Sequence, residues 1–126
     1  MAQSINESVY RIDSFSVPQE ARTAFMSQLA ETQQFLTTQA GCLQNLVLEH
    51  ASGADRFNMV TVVQWASPEA FAQAKEAMMA ARRASGFDAQ GFMQKLGVEA
   101  NMANYVTARQ ASDQSLPWGY SSPISR

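Results

Sequence analysis

Cysteine, histidine and long apolar runs are scarce in this sequence of 126 residues, and each scarcity excludes a class of protein. The single cysteine, Cys42, can form no internal disulfide, and one histidine is too few for a cysteine–histidine zinc cluster. No apolar stretch approaches the roughly 18 residues that a membrane-spanning helix needs, and the polar start MAQSINES is unlike a signal peptide. We therefore expect a cytoplasmic protein with no metal site and no membrane partner.

The sequence also lacks a large excess of either positive or negative charge. Nine Lys and Arg stand against eleven Asp and Glu, and Arg82-Arg83 is the only adjacent basic pair. This distribution argues against a nucleic-acid partner. The sequence has no glycine-rich GxGxxG or P-loop pattern, so we expect no nucleotide cofactor.

The sequence does contain alternating strand and helix patterns. Four segments are rich in β-branched and aromatic residues, as strands are. Two helices begin at typical N-terminal residues, one at Pro18 and one at Ser67-Pro68-Glu69, and glycine follows each predicted helix. The predicted strands are Val9–Val17, Cys42–His50, Arg56–Trp65 and Asn101–Arg109, and the predicted helices run from Pro18 to Ala40, from Ser67 to Ser85 and from Asp88 to Leu96.

This order of elements predicts an α+β fold. We expect a ferredoxin-like sandwich, in which a four-stranded antiparallel sheet carries both long helices on one face. The third strand is apolar on both sides, because Met59, Val63 and Trp65 alternate with Val60 and Val62. A strand that is apolar on both faces is covered on both faces. The helices cover one, and we expect a second copy of the chain to cover the other in a homodimer.

The two ends of the sequence differ from this domain, which we place at residues 9–109. Residues 1–8 are predicted to form a short arm. Residues 110–126 have loop composition, yet they contain Leu116, Trp118 and Tyr120. Because apolar groups on a free tail promote aggregation, we expect the tail to dock on the partner subunit, with a flexible end as the alternative.

Three pieces of the sequence resemble the antibiotic biosynthesis monooxygenase family, whose members are dimeric α/β barrels of two ferredoxin-like subunits. The first two are the strand ending in Val17-Pro18 and the pair Ala40-Gly41 before the second strand. The third is RFNMVTVVQWASPEAFAQA, which has the family's strand ending in tryptophan, serine cap and Ala-Phe pair. The resemblance spans roughly residues 9–107. The matching residues of the third piece are Trp65, Ser67, Ala70 and Phe71.

The resemblance implies a cofactor-independent monooxygenase. Such an enzyme binds a small aromatic hydroxy compound, a hydroquinone or an anthrone, favours its deprotonated form, and lets that anion reduce O2 directly. The protein supplies an apolar slot, one or two donors toward the developing oxyanion, and exclusion of water. The family also contains haem-degrading proteins and members without known activity, so the resemblance implies the fold more specifically than the chemistry.

Two features depart from the family's patterns. Family oxygenases that make quinones often carry an asparagine four residues before the tryptophan, where this chain has Thr61. Haem-degrading members use a histidine on the second helix, whereas the one histidine here, His50, follows the second strand. A non-catalytic small-molecule-binding dimer is therefore the alternative to the oxygenase, and haem degradation ranks below both.

The candidate site residues come from the third strand and the second helix. Thr61 and Trp65 are an even number of positions apart, so they share one face of their strand. The alternative is core packing for the apolar candidates, and a solvated place near a helix end for the arginines. Asp13, in mid-strand, and His50, beside a turn, are weaker candidates for a base. The candidate catalytic residues are Trp65, Thr61, Arg82 and Arg83, and the candidate pocket residues are Tyr10, Phe71 and Met78.

Overall fold

The computed structural model describes residues 7–108, which form one four-stranded antiparallel sheet and three α-helices. The strand order across the sheet is second, third, first, fourth. This is the predicted α+β ferredoxin-like fold. The elements in chain order are β1 (Val9–Ser16), α1 (Arg22–Thr37), β2 (Cys42–Glu49), β3 (Met59–Trp65), α2 (Pro68–Ser85), α3 (Ala89–Leu96) and β4 (Glu99–Tyr105).

Several predicted boundaries are wrong by three or four residues. α1 ends at Thr37, with Thr38 rather than Gly41 as its C-cap residue. A 3-10 turn over Gln19–Ala21 follows Pro18, so α1 begins only at Arg22. β3 begins at Met59 rather than Arg56, because the side chain of Asn58 replaces the next pair of the ladder. Its Oδ1 accepts the N–H of Val17 at 2.9 Å, and its Nδ2 donates to the carbonyl of Val17 at 3.0 Å.

The start of α2 is as predicted. The hydroxyl of Ser67 accepts the N–H of Ala70 at 3.1 Å, Pro68 occupies the first turn, and Gly86 closes the helix with a φ of 75°. None of the helices in residues 7–108 is long and apolar enough to cross a membrane. The predicted docking of the C-terminal tail falls outside the described residues. The last strand runs from Glu99 to Tyr105, so its predicted range of Asn101–Arg109 is wrong at both ends.

Gly41, just before β2, packs closely against the start of α2. Its φ is 87°, and its carbonyl accepts the N–H of Ala66 at 2.8 Å. A Cβ at this position would lie only 2.5 Å from the Cβ of Ala70. The close approach of backbone to helix explains why a glycine and a small helix residue occur together here.

The two faces of the sheet differ in exposure. The inward residues of β3 (Met59, Thr61, Val63 and Trp65) are each at most 3% exposed. On the outer face, the register pairs Leu46 with Val62 and Leu48 with Val60. Leu46 is 39% and Leu48 is 47% exposed, so this apolar face is uncovered by any described residue.

Candidate functional site

A cavity of about 290 Å³ lies between the inner face of the sheet and the three helices. It separates two clusters of the core. Along β3, Met59 belongs to one cluster and Val63 to the other, while Thr61 between them belongs to neither. On β1, Arg11 and Asp13 interrupt the core in the same way. The cavity therefore has a polar floor at the centre of the sheet.

The walls of the cavity are mostly aromatic and aliphatic. Trp65, at the end of β3, is 2% exposed and lies beside the start of α2. From α2, Phe71, Ala74 and Met78 recur at spacings of three and four residues and so face the cavity together. A concave, mostly apolar space with a few polar groups is the usual form of a small-molecule site, and aromatic walls suit a flat ligand.

Arg11 and Asp13 form an ion pair on the floor. The Nε of Arg11 donates to Oδ1 of Asp13 at 2.6 Å, with the side chains 28% and 18% exposed. The Arg11 guanidinium also lies 5.9 Å from the ring centroid of Phe71. Burial raises the pKa of the Asp13 carboxyl above its usual value, and the hydrogen bond and charge of Arg11 reverse this only in part.

Thr61 lies directly opposite Asp13 on the neighbouring strand. It is 3% exposed and lines the cavity. Its hydroxyl has no hydrogen-bond partner among residues 7–108, yet no fully buried polar atom in these residues lacks a partner. The hydroxyl is therefore accessible, and it opens toward the cavity that Thr61 lines. Thr61 therefore offers a donor beside the carboxylate.

Arg82 lines the far end of the cavity, near the end of α2. Its Nη2 donates to the Thr32 hydroxyl at 3.4 Å, and its guanidinium lies 5.5 Å from the ring centroid of Phe87. Burial lowers the pKa of Arg82 from its usual value. Arg83, the next residue, is exposed and does not line the cavity.

The cavity brings together five of the seven candidates named from the sequence. Tyr10 and Arg83 do not line it. Tyr10 precedes Arg11 on β1, so its side chain lies on the outer face of the sheet. His50 is exposed and its Nε2 lies 2.6 Å from the carbonyl of Gly53, outside the cavity. The five lining residues are Trp65, Thr61, Arg82, Phe71 and Met78.

Two charged residues that were not among the candidates from the sequence, Arg11 and Lys75, also line the cavity. Arg11 had a detectable signal. It and Asp13 are charged residues at two successive positions on one face of a strand that otherwise buries Val9 and Phe15 on that face. Lys75 is an exposed helix residue and carried no such signal.

Comparisons with known proteins identify the family of this sequence. The sequence model of the antibiotic biosynthesis monooxygenase family matches residues 8–84. No protein with a curated description matches the sequence.

Several solved structures have the same fold. A proposed monooxygenase from Shewanella loihica is 24% identical, with a TM-score of 0.62, covering 82% of this chain and 96% of that chain. SnoaB, a cofactor-independent oxygenase from Streptomyces nogalater, is 21% identical, with a TM-score of 0.59 over 86% and 99% of the two chains. The heme-degrader MhuD from Mycobacterium tuberculosis is 22% identical, with a TM-score of 0.59 over 82% and 98%. At these identities the likeness shows the fold, and the match over residues 8–84 shows that this chain belongs to the antibiotic biosynthesis monooxygenase family.

Proposed function

We propose that this protein is a cofactor-independent monooxygenase that oxidises a small aromatic hydroxy compound, a hydroquinone or an anthrone, with O2. The observation that carries the proposal is the aromatic-walled cavity of about 290 Å³ with Asp13, Arg11 and Thr61 on its floor. Membership of the monooxygenase family supports the reaction class. The substrate lies flat between the floor and the wall formed by Trp65 and Phe71.

The reaction needs no external reductant when the substrate is an anthrone. A base removes one proton from the ring CH2, and the electron pair left behind makes the ring system an electron-rich anion. The anion passes one electron to O2, the two radicals join in a C–O bond, and a proton completes the hydroperoxide. Loss of the second C–H proton breaks the O–O bond and leaves a carbonyl and water. The substrate thus supplies all four electrons.

Asp13 is the side chain best placed to accept the first proton. It lies on the cavity floor, and burial raises its pKa toward the range in which a carboxylate is an effective base. Arg11 holds one carboxylate oxygen at 2.6 Å and so fixes the orientation of the group. Stability alone does not explain this ion pair, since well-packed apolar side chains of similar volume often stabilise a core as well or better.

Thr61 and the cavity wall act on the anion that forms. The Thr61 hydroxyl opens to the cavity beside Asp13 and donates to the developing oxyanion, in the role expected of a preorganised donor. Trp65 and Phe71 exclude water from the anion, which strengthens that interaction. Of the two candidate arginines, we assign the cavity role to Arg82.

A non-catalytic small-molecule-binding protein on the same fold is the second candidate. The observation in its favour is that Asp13 is already engaged by Arg11, which lowers the basicity of the carboxylate. Haem degradation ranks third, because the single histidine, His50, lies outside the cavity.

Oxygen uptake with a dihydroxyanthrone in chelator-treated buffer tests the proposal. We expect uptake above the spontaneous rate, and a loss of about a hundredfold in Thr61→Ala if its hydroxyl stabilises the oxyanion. Tyr10→Phe, outside the cavity, is the control and keeps the wild-type rate. Saturable binding without uptake would support the second candidate, and a Soret shift on haem titration would support the third.

We also propose that the chain forms a homodimer through the outer face of its sheet. Leu46, Leu48, Val60 and Val62 are paired side by side on this face. The two leucines are each more than one-third exposed, and burying such a contiguous apolar surface favours association.

A further inference from the structure

The charges that line the cavity differ in sign from the charge of the whole protein. The chain has a formal net charge of −2. The lining contains three cationic side chains, Arg11, Lys75 and Arg82, and one acidic side chain, Asp13. The cavity lining thus carries a formal charge of +2. A cationic, partly desolvated cavity favours an anionic ligand.

Arg11 and Arg82 differ in how their charges are balanced. Arg11 is paired with Asp13 at 2.6 Å. Arg82 has no carboxylate partner among the described residues, and its one side-chain hydrogen bond is the long contact of 3.4 Å with Thr32. Burial lowers its pKa, and no ion pair within residues 7–108 includes it. A half-buried cation of this kind gains more from pairing with an anionic ligand than a fully exposed one does.

The position of Arg82 near the end of α2 does not explain why it turns inward. A cation in the last turn interacts favourably with the helix dipole, and exposed Arg83 serves that purpose in full solvent. Arg82 instead lies against the ring of Phe87 and faces the cavity. This orientation leaves the guanidinium at the cavity, where a ligand can contact it.

The face of α2 that lines the cavity determines where the charges of Arg82 and Lys75 lie along it. Phe71, Lys75, Met78 and Arg82 follow one another at spacings of four, three and four, so they share one face of the helix. Eleven residues separate Phe71, beside Arg11, from Arg82, which corresponds to about 16 Å along the helix axis. Arg82 and Lys75 can therefore hold one end of an elongated ligand while its other end lies near Arg11.

We propose that the cavity selects an aromatic acid, whose carboxylate pairs with Arg82 and, more weakly, with Lys75. Guanidinium is the side chain best suited to a carboxylate, because it can donate two parallel hydrogen bonds. The ring system then extends along α2 toward Arg11 and Asp13. The inference rests on the proposed function only in taking this cavity as the substrate site.

Isothermal titration calorimetry with two matched, redox-inert ligands tests the inference without any turnover. The probes are anthraquinone carboxylate and anthraquinone carboxamide, which differ in charge but hardly in shape. We expect the carboxylate to bind at least about tenfold more tightly, as a charge-assisted hydrogen bond predicts, and the preference to shrink as salt is added. Equal binding of the two ligands by the wild-type protein would overturn the inference.

Two variants test whether Arg82 causes the preference for the carboxylate ligand. Arg82→Gln should abolish the preference for the carboxylate, while Arg83→Gln, the same change one residue away on the exposed side, should keep it. A preference that survives Arg82→Gln in a folded protein would overturn the assignment. If Arg82→Gln does not fold, Lys75→Gln replaces it and should reduce the preference in part, whereas an unchanged preference would count against this face of α2. A carboxylate preference in a protein that consumes no O2 would support this inference and contradict the oxygenase.

Discussion

Replacing Gly41 with alanine tests the corner that holds β2 against the start of α2. Gly41 has a φ of 87°, and an added Cβ would lie 2.5 Å from the Cβ of Ala70. Gly53 is a matched control, because its φ is 85° and no atom lies within 4 Å of the Cβ that alanine would add. The two substitutions share the backbone cost, and only Gly41→Ala adds a clash.

The two substitutions are expected to differ in cost. A left-handed conformation costs alanine about 1 kcal/mol relative to glycine, so Gly53→Ala should lower the free energy of unfolding by about that amount. At Gly41 the helix cannot retreat freely, since the N–H of Ala70 is held by the Ser67 hydroxyl at 3.1 Å. Overpacking adds roughly 1–3 kcal/mol. We therefore expect Gly41→Ala to lose about 2–4 kcal/mol in total.

Urea unfolding followed by far-UV circular dichroism measures both losses. A second substitution, Ala70→Gly, removes the clashing methyl group and should restore part of the stability of Gly41→Ala. Equal losses for Gly41→Ala and Gly53→Ala, or no rescue by Ala70→Gly, would refute the close packing of this corner.

Three further predictions concern stability and assembly. Asn58→Ala removes both hydrogen bonds to the backbone of Val17, so it should lower the free energy of unfolding by about 2 kcal/mol in urea titrations. The folded-state pKa of Asp13 is raised, so ionising this carboxyl costs stability, and its contribution falls as pH rises from about 4 through the folded pKa. Asp13→Asn should remove that fall when unfolding is compared across this pH range. Leu48→Glu places a charge on the outer face of the sheet and should yield a monomer in light scattering coupled to gel filtration.

The following results would contradict the predictions for Asn58, Asp13 and Leu48. A loss well under 1 kcal/mol in Asn58→Ala would mean that water replaces the two hydrogen bonds. An unchanged pH dependence in Asp13→Asn would assign the titration to another group. A wild-type protein that is monomeric at all concentrations would contradict the dimer, and Ser27→Glu, on the exposed surface of α1, is the control that should leave assembly unchanged.

Much of the fold could be predicted because its signals are local. Ser67, Pro68 and Gly86 mark the ends of α2 through short-range hydrogen bonds and backbone preferences. The alternation in β3 separated the side of Trp65 from the side of Val62. The late start of β3 was not predictable in the same way, because the side chain of Asn58 bonds to a residue 41 positions away.

The site was predictable only in part, because it depends on which face of each element meets the helices. Tyr10 and Asp13 are an odd number of positions apart, so only one of them can face the cavity, and the pairing of β1 decides which. Arg82 and Arg83 differ by about 100° around the helix axis, and only Arg82 continues the spacing of four, three and four from Phe71. Which face of α2 meets the sheet, however, is decided by tertiary packing. Lys75 acquires its place only from the rotation of α2 against the sheet.

Oxidation of a dihydroxyanthrone under O2 labelled with heavy oxygen tests the central claim most directly. With metal-depleted protein, we expect a quinone that contains one labelled oxygen atom, formed faster than without protein and more slowly by Asp13→Asn. A product without the label, or a rate equal to that of the reaction without protein, would contradict it.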